Sequence, residues 1–390
     1  MNRHVENPDL RRTKPSPVAK PSPGPMDAPY GETAVRLSPR QWWMVGVIVA
    51  AALFMLPRLW RSAEPFEPGH DYRLPFTLSN DYWVYQRWTN EMTRHGEIAI
   101  IGDSFVWGEY VLPGQSLSAV LNRTGGGSRF ANAGINGGHP LALEGLVRYY
   151  SGPMRHTPVV LHCNLLWMSS PQRDLRTVNI GGFNHPRLIP QLRVSVPAYQ
   201  ASINDRLSAV IDRLFRYRLL VRHLRILSYD GLDVPTWSLD HPYTNPLAQL
   251  TWTLPSPAAS LRHPPIPWTR AGIEKADLPW LEMEHSLQWR AFRALVDGFR
   301  RRGAPPFVIL GPFNEHLLTD ASRLRYQAVK AEAVRWLAEE GVAFLDAQLL
   351  PSDAYGDASH PLAVGYEMLA AQLWRDEPFQ HWLATVTADD

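Results

Sequence analysis

Along most of the chain, short apolar runs alternate with longer stretches in which apolar residues recur every three or four positions. The runs predict strands at about 97–102, 129–133, 158–163, 306–310 and 342–345, and the periodic stretches predict helices near 115–123, 141–151, 286–302, 320–340 and 362–375. A strand followed by a helix, repeated, predicts an α/β fold with a parallel sheet covered by helices on both faces. The stretch from 170 to 285 is too long for a simple connection, so it predicts an insertion with its own structure.

That insertion has two parts. From about 200 to 227, Leu207, Val210, Ile211, Leu214, Phe215, Leu219 and Val221 interleave with Arg206, Arg213, Arg216, Arg218, Arg222 and Arg225. The pattern is a basic amphipathic helix, which either rests on lipid headgroups or packs on the domain with a solvated arginine face. Residues 231–280 hold nine prolines together with Trp237, Trp252, Trp268 and Trp280. These indoles either stack on sugar rings beneath a proline-rich lid or pack a small irregular cap.

One apolar segment breaks the alternation. Residues 42–57 carry no charge, and with Leu59 and Trp60 they approach the roughly 20 residues that span a bilayer. Trp42, Trp43 and Trp60 suit the membrane interfaces. A signal peptide is the rival reading, but some 40 residues precede the run and no small-residue cleavage pattern follows it closely. The first 40 residues hold seven Lys or Arg, against Arg58, Arg61 and Arg73 in the twenty or so after the span. This asymmetry predicts a cytoplasmic N-terminus and an extracytoplasmic remainder, periplasmic if the cell has two membranes. The division expected is a disordered cytoplasmic tail over 1–40, an anchor over 41–60, a linker or extension over 61–95 and a catalytic domain over 96–390.

Composition narrows the chemistry. The single cysteine, Cys163, excludes an internal disulfide and reads as a small core residue. Neither CxxC nor HExxH occurs, so no metal or cofactor is expected. Of the formal net charge of +2, the tail supplies three and Arg58 one, which leaves about −2 from residue 61 onward and gives no reason to expect nucleic acid as a partner. Gly125-Gly126-Gly127 lacks the following Gly-Lys-Ser/Thr of a phosphate loop.

The chemistry-bearing residues fall at the ends of the predicted strands. Gly102-Asp103-Ser104 closes the first, Asn132-Ala133-Gly134-Ile135-Asn136-Gly137-Gly138 follows the second and Leu161-His162-Cys163-Asn164 ends the third. Asp357-Ala358-Ser359-His360-Pro361 lies far downstream. A serine is a weak nucleophile until a base takes its proton, and the base needs a carboxylate to fix its tautomer. Asp357 and His360, three residues apart, can meet on one tight turn; Asp353 is a fallback for the acid. Gly311-Pro312-Phe313-Asn314-Glu315-His316 follows the fourth strand, where Asn314 and His316 are candidates for contacting substrate and His316 is a second candidate base. Ser104 sits in G-D-S-F-V rather than the G-x-S-x-G elbow of α/β-hydrolases.

Taken in order, these four segments resemble the blocks of the SGNH (GDSL-type) hydrolase superfamily over roughly residues 96–375, the central insertion apart. The resemblance implies a three-layer α/β/α, flavodoxin-like parallel sheet carrying a long insertion and preceded here by one transmembrane helix. It implies Ser104 as nucleophile, with Asp357 and His360 completing a triad. Its oxyanion hole would comprise the Ser104 N–H, the Gly137 N–H and the Asn164 amide, with Gly134 the competing glycine. Such donors stabilise the charge that acyl transfer builds on a carbonyl oxygen.

A membrane-anchored serine O-acyl esterase or O-acyltransferase is therefore expected, acting on an acyl ester or acylated envelope carbohydrate. The layout resembles the proteins that work beside polytopic membrane-bound O-acyltransferases in polysaccharide acetylation, and such a protein is an expected partner. A non-catalytic tethered subunit with the same fold is the alternative. The sequence His162-Cys163-Asn164-Leu165, where the family usually has Gly-x-Asn-Asp, favours it.

Overall fold

The computed structural model describes residues 37–69, 71–155, 157–178, 182–192, 195–256 and 261–388. The N-terminal tail expected over 1–40 lies outside them up to residue 36. Residues 1–52 and 53–390 separate into two units.

The chain enters through helix α1 (Pro39–Ala63), which is long and apolar enough to cross a membrane and is almost wholly uncovered by protein. Apart from Pro57 and Trp60 its apolar residues are uncovered, with Trp42, Trp43, Ile48, Phe54 and Leu59 all exposed.

From residue 53 onward the fold is a mixed α/β arrangement on five parallel strands, β1 (Ile98–Ile101), β2 (Phe130–Asn132), β3 (Val159–Cys163), β4 (Phe307–Leu310) and β5 (Phe344–Asp346). Their order across the sheet is β2-β1-β3-β4-β5. In register, Ile100 stands beside Asn132 on one side and Val160 on the other, while Cys163 pairs with Leu310. This is one of the two common doubly wound orders, and its connections reverse direction between β1 and β3.

Alternation along each strand divides the core in two, because successive side chains leave opposite faces of a pleated sheet. Ala99, Ile101, Leu161, Val308 and Leu310 face one cluster. It is built with α2 (Tyr82–Arg94), α5 (Pro140–Tyr150), α9 (Leu287–Arg300) and α10 (Asp320–Glu339). Ile98, Ile100, Val160, Phe307 and Ile309 face the other. There they meet α4 (Leu117–Gly125), α11 (Ala363–Arg375) and α12 (Glu377–Ala388), after the short helix α3 (Ser104–Trp107).

Two elements were illegible as local pattern. Residues 61–95, expected as a linker or extension, contain α2, whose Tyr82, Trp83, Tyr85, Trp88 and Met92 are buried. Asp81 caps it by accepting from the Trp83 and Val84 N–H groups. The single amphipathic helix over 200–227 is instead two, α6 (Ile203–Leu214) and α7 (Arg216–Ser228), because Phe215 takes an extended conformation between them. Among the described residues, the proline-rich part that follows adds α8 (Val234–Asp240), short turns and an isolated bridge from Ala276 to Leu318. Of its tryptophans, Trp237, Trp268 and Trp280 are buried in packing, and Trp252 stacks on Trp60 of α1 with ring centroids 3.9 Å apart.

Candidate active site

Parallel strands end together, so whatever follows β1 and β3 shares one edge, at the point where the connections diverge and a crevice opens. β1 ends at Ile101, and Gly102-Asp103 turns the chain into α3, which begins at Ser104. Asp103 is the helix cap, its Oδ1 accepting from the Phe105 N–H at 3.0 Å. Its Oδ2 accepts from the Asn164 amide and the Trp167 indole, each at 2.8 Å. Asn164 in turn caps the short turn after β3, its Oδ1 accepting from the Leu166 N–H. One buried carboxylate therefore ties the serine turn to the end of the neighbouring strand. Burial would raise the Asp103 carboxyl, but His162, His360 and the Trp167 indole hold it below the ordinary value.

The second arm comes from the far end of the domain. Asp357 Oδ1 accepts from the backbone N–H groups of Ser359 and His360, both at 2.9 Å, which winds residues 357–360 into a tight turn. The Gly356 N–H closes the turn on the His360 carbonyl. His360 Nδ1 donates to the same carboxylate, 2.7 Å from Oδ2. The opposite ring nitrogen, Nε2, lies 2.8 Å from Ser104 Oγ. With Nδ1 holding the proton, Nε2 is the acceptor and the serine hydroxyl the donor.

Electrostatics suit that assignment. Burial disfavours the His360 imidazolium, but the adjacent Asp357 carboxylate outweighs it, helped by Asp103 and Glu109, and the pKa rises above 6.5. Burial likewise opposes the Asp357 anion, yet His360 and the two backbone N–H groups hold its pKa below the ordinary value.

The glycines after β2 divide by what their N–H groups do. Gly134 donates to Asn132 Oδ1 and Gly138 to the Ile135 carbonyl, whereas Gly137 has no acceptor among the described residues. Gly137 adopts φ +72°, a left-handed conformation that glycine takes without strain. Gly134 packs directly on α3, where a Cβ would stand 2.4 Å from the Trp107 nitrogen.

Asn314 and His316 lie near the turn at 357–360 and the segment before it. The Asn314 side-chain amide donates to the Asp357 carbonyl and its backbone N–H to the Ala358 carbonyl. His316 Nε2 donates to the Leu350 carbonyl at 3.0 Å. The hydrogen bond to Ser104 is made by His360. Asp353 lies within a separate short turn, and Cys163 is buried with its thiol pushed well up by desolvation.

The structure adds residues that no local motif marked. The Tyr110 ring stacks on His263 at 5.0 Å and lies 5.8 Å from the His360 ring, at the rim. Its hydroxyl is pushed up to about 12 by burial and by the charges of Asp357 and Glu109. Glu109 binds Asn136, His263 and Arg262, joining the loop after β2 to the insertion. A cavity of about 430 Å³ lies alongside, lined by His139, Trp167, Arg173 and Asn184. Trp167 is the partner of Asp103, and Asn184 lies against Gly137. A larger cavity of about 920 Å³, lined by Arg187, Arg222 and Arg225, includes none of these groups. Among the described residues, no cluster of three or more His, Cys, Asp or Glu side chains is placed to hold a metal ion.

No protein-family model matches the chain, and no curated protein matches it in sequence.

Proposed function

We propose that this protein is a membrane-anchored serine O-acyl esterase or O-acyltransferase of the SGNH type, working through an acyl-enzyme on Ser104. The observation that carries the reading is the continuous chain of hydrogen bonds from Ser104 Oγ through His360 to Asp357. Strand order, helices on both faces and the site's position between β1 and β3 agree with a three-layer SGNH arrangement carrying an insertion.

In the reaction, Ser104 Oγ attacks the ester carbonyl carbon as its proton passes to His360 Nε2. Asp357 holds Nδ1–H and stabilises the imidazolium. Negative charge collects on the carbonyl oxygen, where the N–H groups of Ser104 and Gly137 and the Asn164 amide are the donors. Asn164 uses one amide hydrogen on Asp103, and an amide carries two. Collapse expels the alcohol, which takes the proton from His360 and leaves the acyl group on Ser104. Water or a sugar hydroxyl then repeats the steps in reverse. The cavity beside Trp167 and Arg173 is the place for acyl group or sugar.

The surplus of Lys and Arg in the first 40 residues supports a cytoplasmic N-terminus with the site on the other side of the membrane. Acylated envelope carbohydrate is then the substrate class, and a polytopic O-acyltransferase a fitting donor partner. The non-catalytic alternative draws on the sequence His162-Cys163-Asn164-Leu165 and on the Asn164 amide bonded to Asp103.

A fluorophosphonate probe should label the purified full chain, and Ser104→Ala should abolish both labelling and p-nitrophenyl acetate turnover. Absence of labelling in the folded native protein would favour the non-catalytic reading. A glycan acceptor that captures the acyl group in place of water would identify a transferase.

A further inference from the structure

α6 is amphipathic in the reverse sense to an ordinary surface helix. Ile203, Leu207, Ile211 and Leu214, with Phe215 just beyond, recur every three or four residues and form one stripe. All five are exposed, Ile203 by 62%, Leu214 by 71% and Phe215 by 58%. The side turned to the protein carries Ala209 and Asp212, both buried, flanked by Arg206 and Arg213. Arg206 donates to the carbonyls of Gln191 and Tyr199, and Arg213 donates to those of Arg187 and Ile189 and stacks over the Tyr149 ring. Asp212 receives Arg187 and Arg218. Arginine bonds therefore hold the helix in place while its apolar stripe faces outward.

The stripe ends beside the anchor. Arg216, one residue past Phe215, lines a small cavity together with Phe54, Pro57, Arg58 and Arg61 from the last turns of α1. The attachment of those turns is firm. Glu64, directly after α1, pairs with Arg87 and accepts from His223 Nε2 at 2.7 Å, while His223 Nδ1 donates to Asp81 at 2.7 Å. His223 belongs to α7, so the helix that continues from the stripe is bolted to the end of the anchor.

We propose that α6 lies in the interface of the membrane that α1 crosses, with its stripe among the acyl chains and Arg58, Arg61 and Arg216 at the level of anionic headgroups. The proposal rests on the reading of α1 as a membrane anchor. Three facts select lipid as the occupant. Arg216, the residue after Phe215, lines one cavity with Phe54, Arg58 and Arg61 of the uncovered helix α1, that junction is basic, and exposed aliphatic groups on one helix face bind an interface in proportion to the area they bury. α1 and α6 would together give the protein two points of attachment to lipid.

The test uses the full chain in lipid nanodiscs, labelled with an environment-sensitive fluorophore at single introduced cysteines; native Cys163 is buried. Ile211→Cys and Leu214→Cys probe the stripe, Val49→Cys probes α1, and Leu324→Cys, exposed on α10, is the reference. Lipids with a nitroxide near the headgroup should quench the labels at 211 and 214 at least about twofold more than the label at 324. Quenching at 49 by deep nitroxides without quenching at 211 and 214 overturns the proposal and leaves the anchor reading standing. Quenching at none of the three overturns both. Disulfide-linked dimers through position 211, with no quenching by lipid, assign the stripe to a second copy of the chain and also overturn the proposal.

Discussion

His360 Nε2 stands 2.8 Å from Ser104 Oγ across 256 positions of sequence. The serine is delivered by the first strand of the sheet and the histidine by the turn before α11. Neither residue has a local reason to find the other; the sheet edge and the Asn314 bonds to residues 357 and 358 bring them together.

On the proposed acyl-enzyme mechanism, the raised pKa of His360 sets the acid side of the activity profile. The neutral imidazole is the base, so kcat/KM should fall as pH drops through a value above 6.5, the direction that Asp357 imposes against burial. Asp357→Asn should lower kcat by about 10⁴-fold while leaving the fold intact, because Nδ1 loses the acceptor that fixes its tautomer. Steady-state ester hydrolysis from pH 5 to 9 checks both; an unchanged rate in Asp357→Asn would remove Asp357 from the triad.

Asn164→Ala separates the two uses of that amide. Loss of an oxyanion donor should cost about 10²- to 10³-fold in kcat with KM little changed. Loss of the bond to Asp103 alone should appear as a lower melting temperature with kcat per folded molecule retained. Kinetics and thermal unfolding on the same preparation distinguish the outcomes.

Gly134 is constrained by close approach. An added Cβ would meet backbone atoms, the Trp107 nitrogen at 2.4 Å and the Val106 carbonyl carbon at 2.8 Å, so α3 would have to move. Gly134→Ala should destabilise the protein by about 3 kcal/mol and displace Ser104, lowering kcat as well. Denaturant titration and turnover measure the two effects.

The Glu64-His223-Asp81 cluster makes stability depend on pH. Burial opposes the His223 imidazolium, but Asp81 and Glu64 outweigh it and raise the pKa from 6.5 to about 9. Its contribution is therefore complete below 6.5 and is lost as pH rises through about 9. Glu64 has the opposite sign: with burial opposed mainly by His223, its pKa is lowered, and its contribution is lost as pH falls below about 4.5. His223→Gln should destabilise by about 3–5 kcal/mol and flatten the decline between pH 6.5 and 9 in thermal melts.

Periodicity in the chain located all five strands and the main helices to within a few residues, because burial on a pleated face or a helical stripe leaves a repeat that needs no partner to be read. The long apolar helix α1 was equally legible as an uncharged run. Gly102-Asp103-Ser104 and Asp357 to His360 were visible as residue types at strand ends, but their meeting was inferred from resemblance and order. Only tertiary structure decided the rest. It set Asp103 between Asn164 and Trp167, gave the Gly134 N–H to Asn132, and brought Tyr110 beside His360. It also bent one expected helix at Phe215 and turned the apolar side of α6 outward. The physical reason is that a repeat shows which residues share a face, while the neighbour that face meets is chosen by packing between segments far apart in the chain.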